Sequence, residues 1–196
     1  MGFVDWGVTP PAGLRTDAFL LRPIVADDAE LDYAAVMETK EFLRLWEPGG
    51  WPEDDFTVEA NRGDLTKMEE RHRAGYAFGY TMMNLDETEC LGCVYVMPSD
   101  AKMYAKVTVD AVGDRRWTDM KATVFFWVRH SRLDGGLEER LLAELRRWFG
   151  NDWDLAGHVY STNERCERQV NLIESAGLTR QFELDTGDPG LTVAYA

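Results

Sequence analysis

Thr123-Val124-Phe125-Phe126-Trp127-Val128-Arg129-His130-Ser131-Arg132-Leu133-Asp134-Gly135-Gly136-Leu137 decides how the rest of the chain is to be understood. Residues 123–128 are apolar at successive positions, so both faces of an extended strand are covered and the strand is central to its sheet. The chain then passes through Arg129–Asp134 and two glycines into a helix. There Leu137, Leu141, Leu142, Leu145, Trp148 and Phe149 form an apolar stripe, opposed by Glu138, Glu139, Glu144, Arg146 and Arg147. A strand that delivers glycines to a helix start presents free backbone N–H groups and a positive dipole end, a combination suited to a phosphate. Arg129 and Arg132 flank the turn and would add charge-assisted contacts. A purely local reading fits equally well: Gly135 caps the helix, and Glu138, three residues on, closes a capping box.

Upstream, residues 1–14 read as an extended leader and Phe19–Pro23 as a first strand ended by proline. Asp27-Asp28 opens a helix with Leu31, Ala34, Ala35, Phe42 and Leu45 inward. Glu47-Pro48-Gly49-Gly50-Trp51-Pro52 is a turn, and a polar helix covers Val58–Arg73 with Leu65 and Met68 inward. Tyr76–Met82 alternates with a period of two, and Leu91–Met97 follows as its neighbour. Lys106–Val112 reads as an extra ribbon. Downstream come a short strand at Gly157–Ser161, a helix capped by Asn163 with Val170 and Ile173 inward and stopped by Gly177, and a closing hairpin of Leu178–Leu184 and Leu191–Tyr195. The order predicts a mixed α/β protein forming one domain over 1–196.

The chain has 196 residues, 45% hydrophobic and 29% charged, which fits an ordinary globular core. A formal net charge of −14 disfavours nucleic acids and anionic membranes. It is compatible with a cationic or amine partner, and equally with acidity that only maintains solubility. No stretch approaches the roughly 20 apolar residues of a membrane span, and no signal peptide opens the chain. Cys90, Cys93 and Cys166 are an odd set. Cys90-x-x-Cys93 has a zinc-like spacing, but no second pair or histidine cluster accompanies it, so buried free thiols, no metal and a reducing cytoplasm are expected.

From about Arg15 to Leu184 the sequence resembles the GCN5-related N-acetyltransferases (GNAT), in the style of the ribosomal-protein and aminoglycoside branch. The resemblance is carried by Leu21-Arg22-Pro23-Ile24 with its acidic helix start, by Phe126-Trp127-Val128-Arg129 before the paired glycines, and by Cys166–Gly177 with Leu178. It implies a mostly antiparallel twisted sheet of about seven strands with flanking helices. It also implies acetyl-CoA or another acyl-CoA as co-substrate, a small-molecule or peptidic amine as acceptor, and leaves room for a homodimer. In that family the strand equivalent to Thr123–Val128 pairs with the pantetheine arm, and the loop and helix start wrap the pyrophosphate. The implied cofactor-binding residues are therefore Phe126, Trp127, Val128, Arg129, Arg132, Leu133, Asp134, Gly135, Gly136, Leu137 and Glu138. Five positions depart from the pattern: Leu133 stands for the opening Gln/Arg, Glu138 for a small residue, Cys166 for an Asn, Gln169 for a Ser, and Ile173 near a frequent tyrosine.

For transfer, backbone N–H groups around Trp127–Val128 would polarise the thioester carbonyl. Tyr160, Ser161 and Glu47 are the catalytic candidates, with His158 a further polar group on the same strand as Tyr160. Asp54 and Asp55, beside Trp46 and Trp51, would help Glu47 hold a cation. The departures leave a second reading open, a GNAT-fold ligand-binding or interaction protein without transfer chemistry.

Overall fold

The computed structural model describes residues 2–196 apart from 48, 154 and 156, so Pro48 of the predicted turn lies outside the described residues. Nine strands form one sheet: β1 (Leu14–Arg15), β2 (Leu20–Pro23), β3 (Phe78–Met83), β4 (Cys90–Pro98), β5 (Thr108–Ala111), β6 (Ala122–Val128), β7 (His158–Asn163), β8 (Arg180–Asp185) and β9 (Thr192–Tyr195). Their spatial order is β1-β2-β3-β4-β6-β7-β9-β8-β5. Every pairing is antiparallel except β6 with β7. The mixed, mostly antiparallel sheet is the expected one, extended by two short edge strands, β1 and β5. Strand β5 is the predicted ribbon; it reaches the far edge because it pairs with β8, not with its sequence neighbours.

Four helices flank the sheet: α1 (Ala29–Trp46), α2 (Val58–Arg73), α3 (Leu137–Asn151) and α4 (Glu167–Ser175). Helix α3 buries Leu141, Leu142, Leu145, Trp148 and Phe149 as its stripe demands. Around them Trp148 meets Trp153 edge-on at 5.3 Å and Tyr80 at 5.1 Å, while Phe149 stacks on Trp153 at 4.8 Å. The aromatic excess thus fills the core on this face of the sheet. Helices α1 and α2 cover the other face, over Cys90, Cys93 and Trp127. Among the described residues no helix is long and apolar enough to cross a membrane.

Several local expectations are corrected. The leader is not simply extended: Phe3–Trp6 form a 3-10 turn, and Phe3 is buried against Phe78, rings stacked at 4.8 Å. Helix α1 turns Asp32, Ala35, Val36, Thr39 and Leu43 inward and leaves Ala34 exposed. The stripe is rotated because Asp32 and Thr39 find partners inside, as described below. Asn163 ends β7 and its side chain accepts from Arg165 N–H at 3.0 Å; the helix starts later, with Cys166 as its cap residue.

Strand β4 carries a bulge. Met82 faces Gly92 but Met83 faces Cys90, so β4 spends one extra residue where β3 spends none. Gly92 adopts φ 148°, and a Cβ there would collide with the Trp127 carbonyl.

His158 stacks on Phe149 at 4.7 Å, and burial lowers its pKa to about 4. The unfolded chain protonates near 6.5 and so binds more protons between those values; stability falls as pH drops through that window and levels off below it. His158→Phe should remove this component. Its stability relative to the native chain should improve by on the order of 2 kcal/mol between pH 6.5 and 4, as read by urea denaturation across a pH series; parallel curves would refute the assignment.

Candidate active site

Strands β6 and β7 pair for only three residues, Ala122–His158, Thr123–Val159 and Val124–Tyr160, and then separate. On its other side β6 pairs with β4 along its full length, and Arg129 N–H donates to Leu91 O at 2.8 Å. Antiparallel alternation then directs the peptide groups of Thr123, Phe125 and Trp127 toward β4, and those of Phe126 and Val128 into the widening gap. The expected backbone donor is thereby narrowed to Val128; the Trp127 peptide is used within the sheet, and its indole is buried.

Helix α3 begins at the end of this gap. Gly136 takes φ 70° at the cap position, a conformation that L side chains rarely adopt. The N–H groups of Leu137, Glu138 and Glu139 have no helical acceptor. A Cβ at Gly135 would meet nothing within 4 Å, and one at Gly136 only the Glu139 carboxylate at 3.8 Å. The turn is open.

The residues around it are not arranged as expected. Arg129 pairs with Glu38 at 2.6 Å and Arg132 with Glu89 at 2.6 Å. Ser131 N–H also donates to Glu38, and Arg129 with these bonds holds that carboxyl down to about 2. Both arginines tie the loop to α1 and to the start of β4 instead of projecting toward the helix start. Leu133 packs against the core beneath α3, and Asp134 is exposed. Glu138 does not close a capping box. It is buried, its Oε1 accepting from Gln169 Nε2 at 3.2 Å and its Oε2 lying 3.3 Å from Arg168 Nε without hydrogen-bond alignment. Burial raises its pKa against the pull of Arg168. The carboxylate has therefore turned away from the open N–H groups toward α4. Arg168, which also donates to Leu133 O at 3.1 Å, is the cation beside the turn. Gln169 donates as well to Phe126 O at 2.9 Å, occupying one carbonyl of the gap. Ile173 is core.

On the α1–α2 face lies a cleft of about 770 Å³ whose walls include Trp46, Glu47, Tyr95 and Asp188, with Phe125 from β6 and Thr162 from β7. Trp46 packs edge-on to Phe125 at 5.9 Å and lies 6.2 Å from Tyr95. Glu47 is thus placed at the rim of the cleft, where it remains exposed; desolvation by the cleft atoms and the charge of Asp188 raise its carboxyl above the ordinary range against the Gly49 N–H. Tyr160 is not placed there: it is buried with Phe149 and His158 on the α3 side. Ser161 is buried and lines no part of the cleft. Asp54 clamps Arg44 at 2.6 Å and Asp55 is exposed. Thr162 and Asp188 carried no sequence signal; Arg168 and Gln169 were missed because the apolar pair Val170 and Ile173 set the inward face, whereas Gln169 and Ile173 are the residues buried.

Solved structures share this fold. A ribosomal L7/L12 alpha-N-protein acetyltransferase, RimL, in complex with coenzyme A superposes with TM-score 0.67 at 16% identity, covering 94% of each chain. The chain has the GNAT fold. The ribosomal-protein-S5-alanine acetyltransferase from Vibrio fischeri matches with TM-score 0.67 at 16% identity over 94% of this chain and 95% of that one. The microcin C7 self-immunity acetyltransferase MccE, bound to acetyl-CoA and AMP, gives 0.69 at 13% over 95% and 96%. No family model and no curated protein matches at the sequence level. Within the GNAT fold, the parted β6 and β7 and the open turn before α3 occupy the middle of the sheet.

Removing the Glu138 carboxylate strands Arg168 and takes a partner from the buried Gln169 amide. Glu138→Ala should cost about 1–3 kcal/mol in urea denaturation, and Glu138→Gln, which keeps an acceptor for Gln169, distinctly less; equal costs would show that the carboxylate is not held as described.

Proposed function

We propose that the protein is an acyl-CoA-dependent N-acyltransferase, with acetyl-CoA the simplest donor and an amine as acceptor. The observation that carries this is the early parting of β6 from β7, which leaves the Val128 peptide facing a gap that ends at three free N–H groups and two open glycines. An extended arm bearing amides can pair with such an edge, and a pyrophosphate fits the helix start. RimL and MccE, which carry coenzyme A and acetyl-CoA, share the fold. The reading without transfer chemistry rested on Glu138, Leu133 and Ile173; Glu138 is directed into α4 and so no longer counts for it, while Leu133 and Ile173 pack into the core.

In the proposed reaction a neutral amine held in the cleft attacks the thioester carbonyl carbon. Approach and orientation supply much of the rate gain. The oxygen that becomes negative lies at the Val128 N–H. Glu47, its carboxyl raised above the ordinary range, takes the proton from the amine nitrogen and passes it to solvent. The carbon–sulfur bond then breaks to leave the amide and a thiolate, which takes its proton from solvent. Thr162, whose hydroxyl lies beside the Cys166 thiol, stands on the β7 wall of the cleft. The acidic pair Glu47 and Asp188, flanked by Trp46, favours an acceptor that arrives as a cation.

Two measurements test the reading. Calorimetric titration of acetyl-CoA should show a single site, weakened at least about tenfold by Gly136→Trp, which fills the open turn; absence of heat at high ligand would remove the proposal. In an amine acceptor screen, Glu47→Gln should lower kcat by about 100-fold and flatten the rise of rate with pH, leaving acetyl-CoA affinity unchanged; an unaltered pH profile would exclude Glu47 as the base.

A further inference from the structure

Regular alternation along β4 would send Cys90 and Cys93, three residues apart, to opposite faces of the sheet. The bulge at Leu91-Gly92 cancels that: Cys90 pairs opposite Met83 and Cys93 opposite Thr81, two positions apart on β3 and hence on one face. Both thiols converge there on a single carboxylate oxygen of α1. Cys93 Sγ lies 3.3 Å and Cys90 Sγ 3.7 Å from Asp32 Oδ1, and the three donor atoms lie within 4.8 Å of one another. All three residues are buried, Asp32 at 3% exposure and the cysteines at 0%.

We propose that Asp32, Cys90 and Cys93 form a binding site for a divalent transition-metal ion of the zinc type, with its fourth position directed toward the cleft. The spacing fits a tetrahedral ion. Zinc–sulfur and zinc–oxygen bonds of about 2.3 and 2.0 Å at tetrahedral angles put sulfur and oxygen about 3.5 Å apart, and the two observed separations bracket that value. Asn61 Nδ2 donates to the other oxygen, Asp32 Oδ2, at 2.9 Å and to Ala29 O at 3.1 Å. It holds the carboxylate as an outer-shell partner holds a metal ligand. Among the described residues, Asp32 is paired with no Lys, Arg or His, so a dication supplies the charge compensation that a buried carboxylate otherwise lacks. Asp32 and Asn61 both line the cleft, which gives the ion a route of entry. The Tyr95 hydroxyl faces Cys93 from the same strand.

In the metal-free chain burial raises the pKa of Asp32 and, strongly, that of Cys93. Cys90 also ends above its ordinary value, since burial and the Asp32 charge outweigh the lowering contact with Cys93. The thiols are then protonated and donate to Asp32. Binding a dication replaces those two S–H protons, which leave to solvent, so thiolates and carboxylate become the ligands.

The test uses the reduced, metal-stripped full chain titrated with Co²⁺. One equivalent should bind with thiolate-to-cobalt charge-transfer absorption in the near ultraviolet and tetrahedral ligand-field bands, and Zn²⁺ should displace it. Cys93→Ser and Asp32→Asn should each weaken binding at least about tenfold, Cys93→Ser also reducing the charge-transfer intensity, while Cys166→Ser changes neither. If either variant fails to fold, the native chain still decides: calorimetric titration with Zn²⁺ in buffers of different ionisation enthalpy should show one ion bound with release of about two protons. Absence of the thiolate band, or Zn²⁺ uptake without proton release, would overturn the site and leave the cluster as hydrogen-bonded thiols.

Discussion

Beyond Val124 and Tyr160, two parallel strands stop pairing, and the rest of the molecule is organised around the peptide groups that this leaves without a ladder. A buried N–H or C=O without a partner costs as much as a lost hydrogen bond, so such a gap persists only if something else enters it. Here a side chain answers for part of it, Gln169 reaching across from α4 to Phe126 O. The Val128 peptide and the start of α3 remain for a ligand with complementary groups. The aromatic cluster of Trp148, Phe149 and Trp153 braces α3 from behind, so the separation does not close by collapse.

The electrostatics follow from the same geometry. The protein is strongly acidic, and the two arginines nearest the turn are already satisfied by Glu38 and Glu89. On the proposed reading, what would attract an anion is mostly backbone, the helix start and its glycines, with the Arg168 side chain placed next to it by α4. Attraction by fixed N–H dipoles requires no rearrangement of long side chains, whereas drawing Arg129 away from Glu38 would break a close, partly buried ion pair.

The sequence made the architecture legible where periodicity was strong. The apolar run 123–128, the stripe of α3 and the alternation of Phe78, Tyr80 and Met82 each demanded burial, and all their residues are buried but Phe125, which lines the cleft, and Leu137, which are half-buried. Legibility failed where a polar residue points inward. Asp32, Glu138 and Gln169 look like surface positions in a helical pattern, and only their partners, on other elements, explain their burial. The site shows the same division. Glu47 was reachable because it sits in a turn beside two tryptophans, while Tyr160 was misplaced because one strand serves both the cleft and the α3 core. The bulge at Leu91-Gly92 was hidden in an uninterrupted apolar run, so the common face of Cys90 and Cys93 was hidden too.

Helix α1 joins features that lie far apart in space. Glu38 grips the loop leaving β6, Asp32 meets the two thiols, and the helix ends in Trp46 with Glu47 just beyond. From Glu38 to Trp46 is about 12 Å of continuous helix, too short a rod to bend appreciably. A displacement at the glycine turn that pulled on Arg129 would be delivered as a tilt of the far end, where Trp46 stands, so the helix ties the two ends mechanically.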